Sequence, residues 1–394
     1  MLRRFHWLIL SVFIISGCAN ARHAVPESLL ANARVLGMQN IRAFGGIPSD
    51  SFKRDFMVLL EQEEKNDPSF FNLKAGRNYS MLAISGGAAN GAYGAGLLNG
   101  WSKAGTRPVF KIVTGISTGA IIAPYAFLGA SYDDKLKEFY TKYSTRNVMR
   151  IRIPFTNSFA STRLLERLID KYFDAQLLKE VASEYKKGRR LYVGTTNLDA
   201  QRLVIWDMGK IASIGGAKAL ILFRKVILAS SSIPVAFPPV YLNVEVNNIE
   251  YDEMHVDGGI VKQVFFIYDV LQGFNKALKE KGIDVSRNKY VIYVIRNGYV
   301  DPIYKEVPDK LSAIAERTVD SMINAQSIGD LYQLYLFARE SKGDFNLACI
   351  PPTHIPKAKE LFDPVEMREL FNLGFEESAR GYRWRKFPPG VGRD

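Results

Sequence analysis

From residue 79 onward the chain alternates between short apolar runs and stretches with helical spacing. Met81-Leu82-Ala83-Ile84 is apolar at every position, which predicts a strand buried on both faces, and it breaks at Ser85-Gly86-Gly87. Small residues across 90–101 predict a tightly packed helix. Phe110-Lys111-Ile112-Val113-Thr114 predicts a second strand, broken at Gly115, with a helix over 120–128 after it. Leu191-Tyr192-Val193-Gly194-Thr195-Thr196 and Tyr290-Val291-Ile292-Tyr293-Val294-Ile295 read as further strands. Such alternation predicts an α/β fold, a three-layer α/β/α arrangement around a mostly parallel sheet. In that class chemistry collects at the carboxyl ends of strands, where both glycine breaks fall.

The flanks read differently. A short helix is expected over 26–34, opened by Pro26, then a loop over 45–51 and a helix over 52–65 with Leu59 and Leu60 at helical spacing. Near the other end, Asp363 as N-cap and Pro364 at the first helical position predict a helix reaching Tyr382. Residues 1–17 read as a leader, 18–77 as an anchor and helical linker, 78–384 as the main domain with a helical extension, and 385–394 as a tail.

The leader carries basic Arg3 and Arg4, then an apolar run over 7–15, about half the ~20 residues that cross a bilayer. Ile15-Ser16-Gly17-Cys18 follows and resembles a bacterial lipoprotein signal, with Cys18 as the acylated residue. Several acyl chains on one residue hold a soluble domain to a membrane, where one chain does so only marginally. An ordinary secretory signal with a chance cysteine is the alternative. Ala19 in place of Asp points to the outer membrane of a bacterial envelope.

Composition narrows the picture slightly. The chain has 394 residues, 47% hydrophobic and 23% charged, as expected of a globular protein rather than a disordered one. The formal charge of +12 suits an anionic lipid surface, or simply a solvated basic exterior. Basic–aromatic interleaving and zinc-knuckle spacing are both missing from the sequence, so nucleic acid is not an expected partner. Two cysteines, Cys18 and Cys349, are too few for a disulfide framework or a structural zinc site.

Candidate chemistry sits at the strand ends. Gly115-Ile116-Ser117-Thr118-Gly119 lies between a strand and a helix, the context of a G-x-S-x-G nucleophile elbow. Gly115 and Gly119 are small because the turn is tight, and Ser117 then stands at a helix N-terminus, whose dipole favours developing negative charge. Gly86, Gly87 and Ala88 follow the preceding strand and offer backbone N–H groups for an oxyanion. The loop lacks the G-K-[ST] ending of a P-loop, and Thr114 stands where a dinucleotide site wants an acidic residue. Further on, 140 residues beyond Ser117, comes His255-Val256-Asp257-Gly258-Gly259.

A glycine-rich strand end, then G-x-S-x-G, then D-G-G, in that order, resembles the patatin-like phospholipases. The resemblance runs by motif over residues 79–260 and by general pattern to Trp384. It implies a serine acyl hydrolase of the phospholipase A or lysophospholipase kind, acting on membrane phospholipid or another acyl-ester lipid through an acyl-enzyme. Ser117 is then the nucleophile, Asp257 its base, and Gly86, Gly87 and Ala88 the oxyanion hole, with no cofactor or metal required. The family loop usually reads G-G-G-x-[RK]-G. Ala88 replaces its third glycine, a mild change because the N–H remains, and Asn90 replaces its basic residue, which bears on headgroup preference more than on catalysis.

Three alternatives stay open. His255 shares a strand face with Asp257, and His354 falls in Pro351-Pro352-Thr353-His354, so a general esterase or thioesterase with a histidine base is conceivable. A lipoprotein that binds lipid or a protein partner without turnover is the other. The Ala229-Ser230-Ser231-Ser232-Ile233-Pro234 segment is read as a helix stop, structural rather than chemical. The runs 220–228 and 265–268 are candidates for an acyl channel, and more simply for core.

Overall fold

The structure, a computed structural model, describes residues 22–47, 49–66, 78–151, 158, 160–267, 279, 280, 282 and 288–392. The leader with Cys18, residues 67–77 of the linker and Tyr268 lie outside the described residues. No described helix is long and apolar enough to cross a membrane.

The strands are β1 (Arg34–Val35), β2 (Arg42–Phe44), β3 (Asn78–Ile84), β4 (Ile112–Ile116), β5 (Arg150–Ile151), β6 (Ala160–Ser161), β7 (Arg190–Asn197), β8 (Arg202–Asp207), β9 (Val240–Val246), β10 (Ile249–Asp257), β11 (Lys289–Arg296) and β12 (Asp344–Cys349). The longer helices are α1 (Asp50–Asn66), α2 (Gly91–Lys103), α3 (Thr118–Leu128), α4 (Asp133–Lys142), α5 (Arg163–Tyr172), α6 (Ala175–Lys186), α7 (Met208–Ile214), α8 (Gly216–Ser230), α9 (Leu311–Glu340) and α10 (Pro364–Ala379).

The centre of the main sheet is parallel, in the order β7-β4-β3-β11-β12. Side-chain alternation along these strands feeds two cores. Leu82 and Ile84 of β3, Val113 of β4 and Leu191 and Val193 of β7 pack under α2 to α8 and α10. Met81 and Ala83, Ile112 and Ile116, and Tyr192 face the other way, against Phe52, Leu59 and Leu60 of α1 and Leu331, Leu334 and Phe337 of α9. Burial on both faces is why the sequence runs read as continuously apolar. The three-layer α/β/α arrangement expected from the sequence is therefore the one observed. An ion pair fastens α1 to the sheet: Nε of fully buried Arg190 meets Asp55 Oδ2 at 2.5 Å.

An antiparallel wing, not anticipated from the sequence, extends the sheet through β8, β10, β9 and β1. β9 and β10 form a hairpin in which Val246 pairs with Ile249 across Asn247 and Asn248, whose φ angles are +52° and +63°. Two left-handed residues in a two-residue loop make the turn that matches strand twist, and asparagine tolerates it better than most residues.

The wing brings the candidate residues together. β7 has two edges and three partners. β8 covers one edge from Tyr192 to Asn197. The other edge is shared: β4 occupies it as far as Ile116 opposite Gly194, and β10 takes over with Asp257 opposite Thr195. Because β4 is parallel and β10 antiparallel to β7, their carboxyl ends meet head to head, one residue step of about 3.3 Å apart along β7.

Several boundaries shift. β4 runs through Gly115 to Ile116 rather than ending at Thr114, so the elbow begins inside the strand. The 26–34 segment is a short 3-10 helix, Glu27–Asn32. α10 has Asp363 as N-cap, its side chain accepting from the Val365 N–H at 2.9 Å, but stops at Ala379, short of Tyr382.

Candidate active site

Ser117 sits between β4 and α3 with φ +55° and ψ −124°, a conformation costly for any residue with a Cβ. Two close approaches explain the flanking glycines. A Cβ on Gly115 would lie 2.2 Å from the Gly119 carbonyl oxygen, and one on Gly119 would lie 2.3 Å from that of Ile84. The turn is therefore wedged between its own next turn and the end of β3, and α3 behind it is buried from Thr118 to Phe127.

The segment read as a mere helix stop takes part in holding this turn. Ser230 Oγ accepts the Ser117 N–H at 2.9 Å and donates to the Gly194 carbonyl at 2.7 Å. The Asp257 N–H donates to the Ser232 carbonyl at 2.9 Å. The end of α8 thus bridges the two strand ends, a role its sequence gave no local sign of.

Asp257 closes β10 and is 5% exposed. Its Oδ1 accepts the Gly259 N–H at 2.7 Å, and its carboxylate hydrogen-bonds the Ser117 side chain. Burial pushes the carboxyl up to about 7, opposed by the bonds from Ser117 and Gly259. A Cβ on Gly258 would lie 2.5 Å from the Gly194 oxygen, so the D-G-G glycine lets the turn pass close over β7.

The histidines are engaged elsewhere. His255 is fully buried, with Nδ1 2.9 Å from Thr195 Oγ1 and Nε2 3.0 Å from Glu253 Oε2. Arg42 grips the same glutamate, and burial lowers the imidazole pKa. His354 Nε2 lies 2.7 Å from Glu366 Oε1. Neither ring has Ser117 as a hydrogen-bond partner.

The loop after β3 divides its amides. Gly86 N–H already donates to the Gln263 carbonyl at 3.0 Å, which corrects the expectation that it serves an oxyanion. The amides of Gly87 and Ala88 have no acceptor among the described residues. Gly87 has φ +156°, and a Cβ there would lie 2.0 Å from the Asn297 oxygen, so only glycine fits. Ala88 adopts φ +48°. Alanine at the family's third glycine is therefore a strained choice rather than a mild one. Ala88→Gly is expected to raise stability by about 1 kcal/mol, read as a higher unfolding midpoint in urea at unchanged slope. An unchanged or lower midpoint would refute that strain.

Residues missed in the sequence pin this loop. Asn297, just after β11, donates its N–H to Ser85 Oγ and its Nδ2 to the Ser85 carbonyl, both at 2.9 Å. Arg296 donates from Nη1 to the Gly86 carbonyl at 3.0 Å. Their signal was positional: polar residues directly after a parallel strand lie at the edge where chemistry collects.

Ser117, Asp257, Gly87 and Ala88 open on one cavity of about 760 Å³, with the first half of α9 along its far side. Its apolar lining near Ser117 includes Ile233, Ile260, Val319, Ile323 and Ile328. The runs considered for an acyl channel line other ground: Leu222, Phe223, Val226, Ile227, Phe265 and Ile267 are buried core. Among the described residues no cluster of His, Cys, Asp and Glu has the makings of a metal site.

The sequence model of the patatin-like phospholipase family matches residues 82–268. That stretch runs from β3 to beyond the Asp257 turn. A search of curated proteins found no match. Among solved structures the chain is similar to VipD from Legionella pneumophila, at 14% identity and a TM-score of 0.33, covering 77% of this chain and 66% of that one. It is also similar to the type III effector protein ExoU, at 12% identity and a TM-score of 0.28, covering 80% of this chain and 56% of that one. This chain thus spans about two thirds of the first and less of the second.

Proposed function

We propose that this chain, which carries a patatin-like phospholipase domain over residues 82–268, cleaves carboxylic esters of lipids through an acyl-enzyme on Ser117. The observation that carries the reading is the hydrogen bond between the Ser117 side chain and a buried carboxylate whose pKa is raised to about 7. A base tuned near neutrality takes a proton well and returns it well.

In this reading Ser117 Oγ attacks the acyl carbon as its proton passes to Asp257. The amides of Gly87 and Ala88, with the N-terminus of α3, meet the negative oxygen of the tetrahedral intermediate. Its collapse breaks the ester bond, and the departing alcohol takes the proton from Asp257. Water then repeats the sequence against the acyl-serine, giving a proton to Asp257 and releasing the fatty acid while Ser117 recovers its own. The acyl chain lies along the isoleucine and valine side chains of the cavity, which accept methylenes without polar loss.

The domain's place in the cell belongs to the same proposal. Acylated Cys18 and the linker tether residues 78–384 to a bacterial envelope membrane, and the lipid substrate is drawn from that surface.

The test is hydrolysis of phospholipid vesicles and p-nitrophenyl esters by leader-free protein, alongside labelling with a fluorophosphonate that reacts only with an activated serine. Turnover and labelling, both abolished by Ser117→Ala, are expected. Parent protein that neither turns over nor labels leaves a lipid-binding protein as the better account.

A further inference from the structure

Arg296 is the last residue of β11 and 6% exposed, yet no carboxylate among the described residues pairs with it. Its Nε has no hydrogen-bond partner. A cation buried without a counter-charge costs a fold stability, so packing alone gives no reason for an arginine here. Burial lowers the guanidinium pKa to about 10.

What the guanidinium does touch is specific. Nη1 donates to the Gly86 carbonyl at 3.0 Å and lies 3.3 Å from Ser85 Oγ, which itself donates to the same carbonyl at 2.7 Å. One peptide oxygen thus receives two donors, one of them charged. The other end of that peptide unit is the Gly87 N–H, which has no acceptor and opens on the cavity beside Ser117. Donors at a carbonyl draw electron density from the amide nitrogen and strengthen its N–H as a donor, and they also fix the plane of the peptide.

We infer that Arg296 is a positioning residue for the oxyanion site, holding and polarising the Gly86–Gly87 peptide so that the Gly87 N–H meets negative charge forming on the acyl oxygen. The inference rests on the reading of Ser117 as nucleophile. It assigns the loop's cationic support to β11, on the opposite side of the loop chain from Asn90. The loop's position does not depend on Arg296 alone. Ser85 N–H donates to the Ile295 carbonyl at 2.9 Å, and Asn297 holds Ser85 twice, so neutral bonds remain when the charge is removed.

The experiment compares parent, Arg296→Met and Arg296→Lys in kcat and KM on a soluble p-nitrophenyl ester, in the rate of fluorophosphonate labelling, and in Tm. Arg296→Met is expected to lower kcat and the labelling rate together by roughly 10- to 100-fold, with KM within about twofold and Tm unchanged or raised. Arg296→Lys keeps the charge and recovers most of the loss. It then loses activity at a lower alkaline pH than the parent, because a buried lysine gives up its proton more readily than arginine. Should Arg296→Met not fold, that alkaline limb decides, and its absence overturns the inference. Unchanged kcat in Arg296→Met, or a loss that follows a fall in Tm and is not recovered by lysine, overturns it too. If Ser117→Ala abolishes turnover while Arg296→Met does not touch it, only this inference falls. Parent protein that neither turns over nor labels removes both.

Discussion

Asp257→Asn lowers kcat for ester hydrolysis by roughly four orders of magnitude, and Ser117→Ala by at least as much, with the double variant no worse than the weaker single one. Asparagine preserves the shape of the site: its oxygen still accepts the Gly259 N–H, where Asp257 Oδ1 now accepts it at 2.7 Å. What it cannot do is take the Ser117 proton. Two groups that act in one proton transfer fail together, hence the missing additivity. The residual rate is the share supplied by the Gly87 and Ala88 amides and by binding. His255→Gln, by contrast, removes a ring committed to Thr195 and Glu253, so it changes stability and leaves kcat within a few-fold. A kcat that survives Asp257→Asn but collapses in His255→Gln would refute the dyad and reinstate a histidine base.

The same carboxylate carries the second large effect, through pH. Folding raises its pKa from the model value of 3.8 to about 7, so between those values the folded protein holds a proton that the unfolded chain releases. Stability from this group is full below pH 3.8, declines as pH climbs, and is gone above 7. Activity runs the opposite way, because the base must be free: kcat/KM rises through an apparent pKa near 7 to a plateau. Asparagine carries no proton equilibrium. Asp257→Asn therefore gains stability over the parent, by on the order of 2–4 kcal/mol at pH 8 and little at pH 4. Urea denaturation of both proteins across that range measures the difference. A gain that does not grow with pH, or a loss at pH 8, would contradict the burial-raised carboxyl. An inactive variant sturdier than its parent is the signature of a charge kept for chemistry.

Much of the site was legible because its parts are local. Ile84 into Ser85-Gly86-Gly87 and Ile116 into Ser117 are each an apolar strand ending in small residues, and a parallel strand buried on both faces announces itself in a single run. The antiparallel wing was equally written, though in another pattern. Val240, Leu242, Val244 and Val246 alternate with exposed Tyr241, Asn243 and Glu245, and Asn247-Asn248 marks the hairpin. That period of two was passed over because attention stayed on apolar runs. Ser230, Arg296 and Asn297 were illegible for a different reason. Each acts by one hydrogen bond to a segment far away in sequence, and nothing beside them in the chain encodes the partner. The long helix α9 also escaped notice: Leu311, Ile314 and Met322 in its first half are exposed, so no clean buried stripe marks it.

The head-to-head meeting of β4 and β10 on β7 has a consequence for when the enzyme comes alive. Neither strand reaches the other through its own connections; both are measured off against a third, and β10 arrives 140 residues after Ser117 has been synthesised. Pairings so distant in sequence form late in folding. A chain still threading through a translocation channel, or stalled half-folded, therefore presents a serine without a base. Hydrolysis is withheld until the whole sheet has assembled, and a membrane-active enzyme is harmless to the compartment that makes it for as long as it remains unfinished.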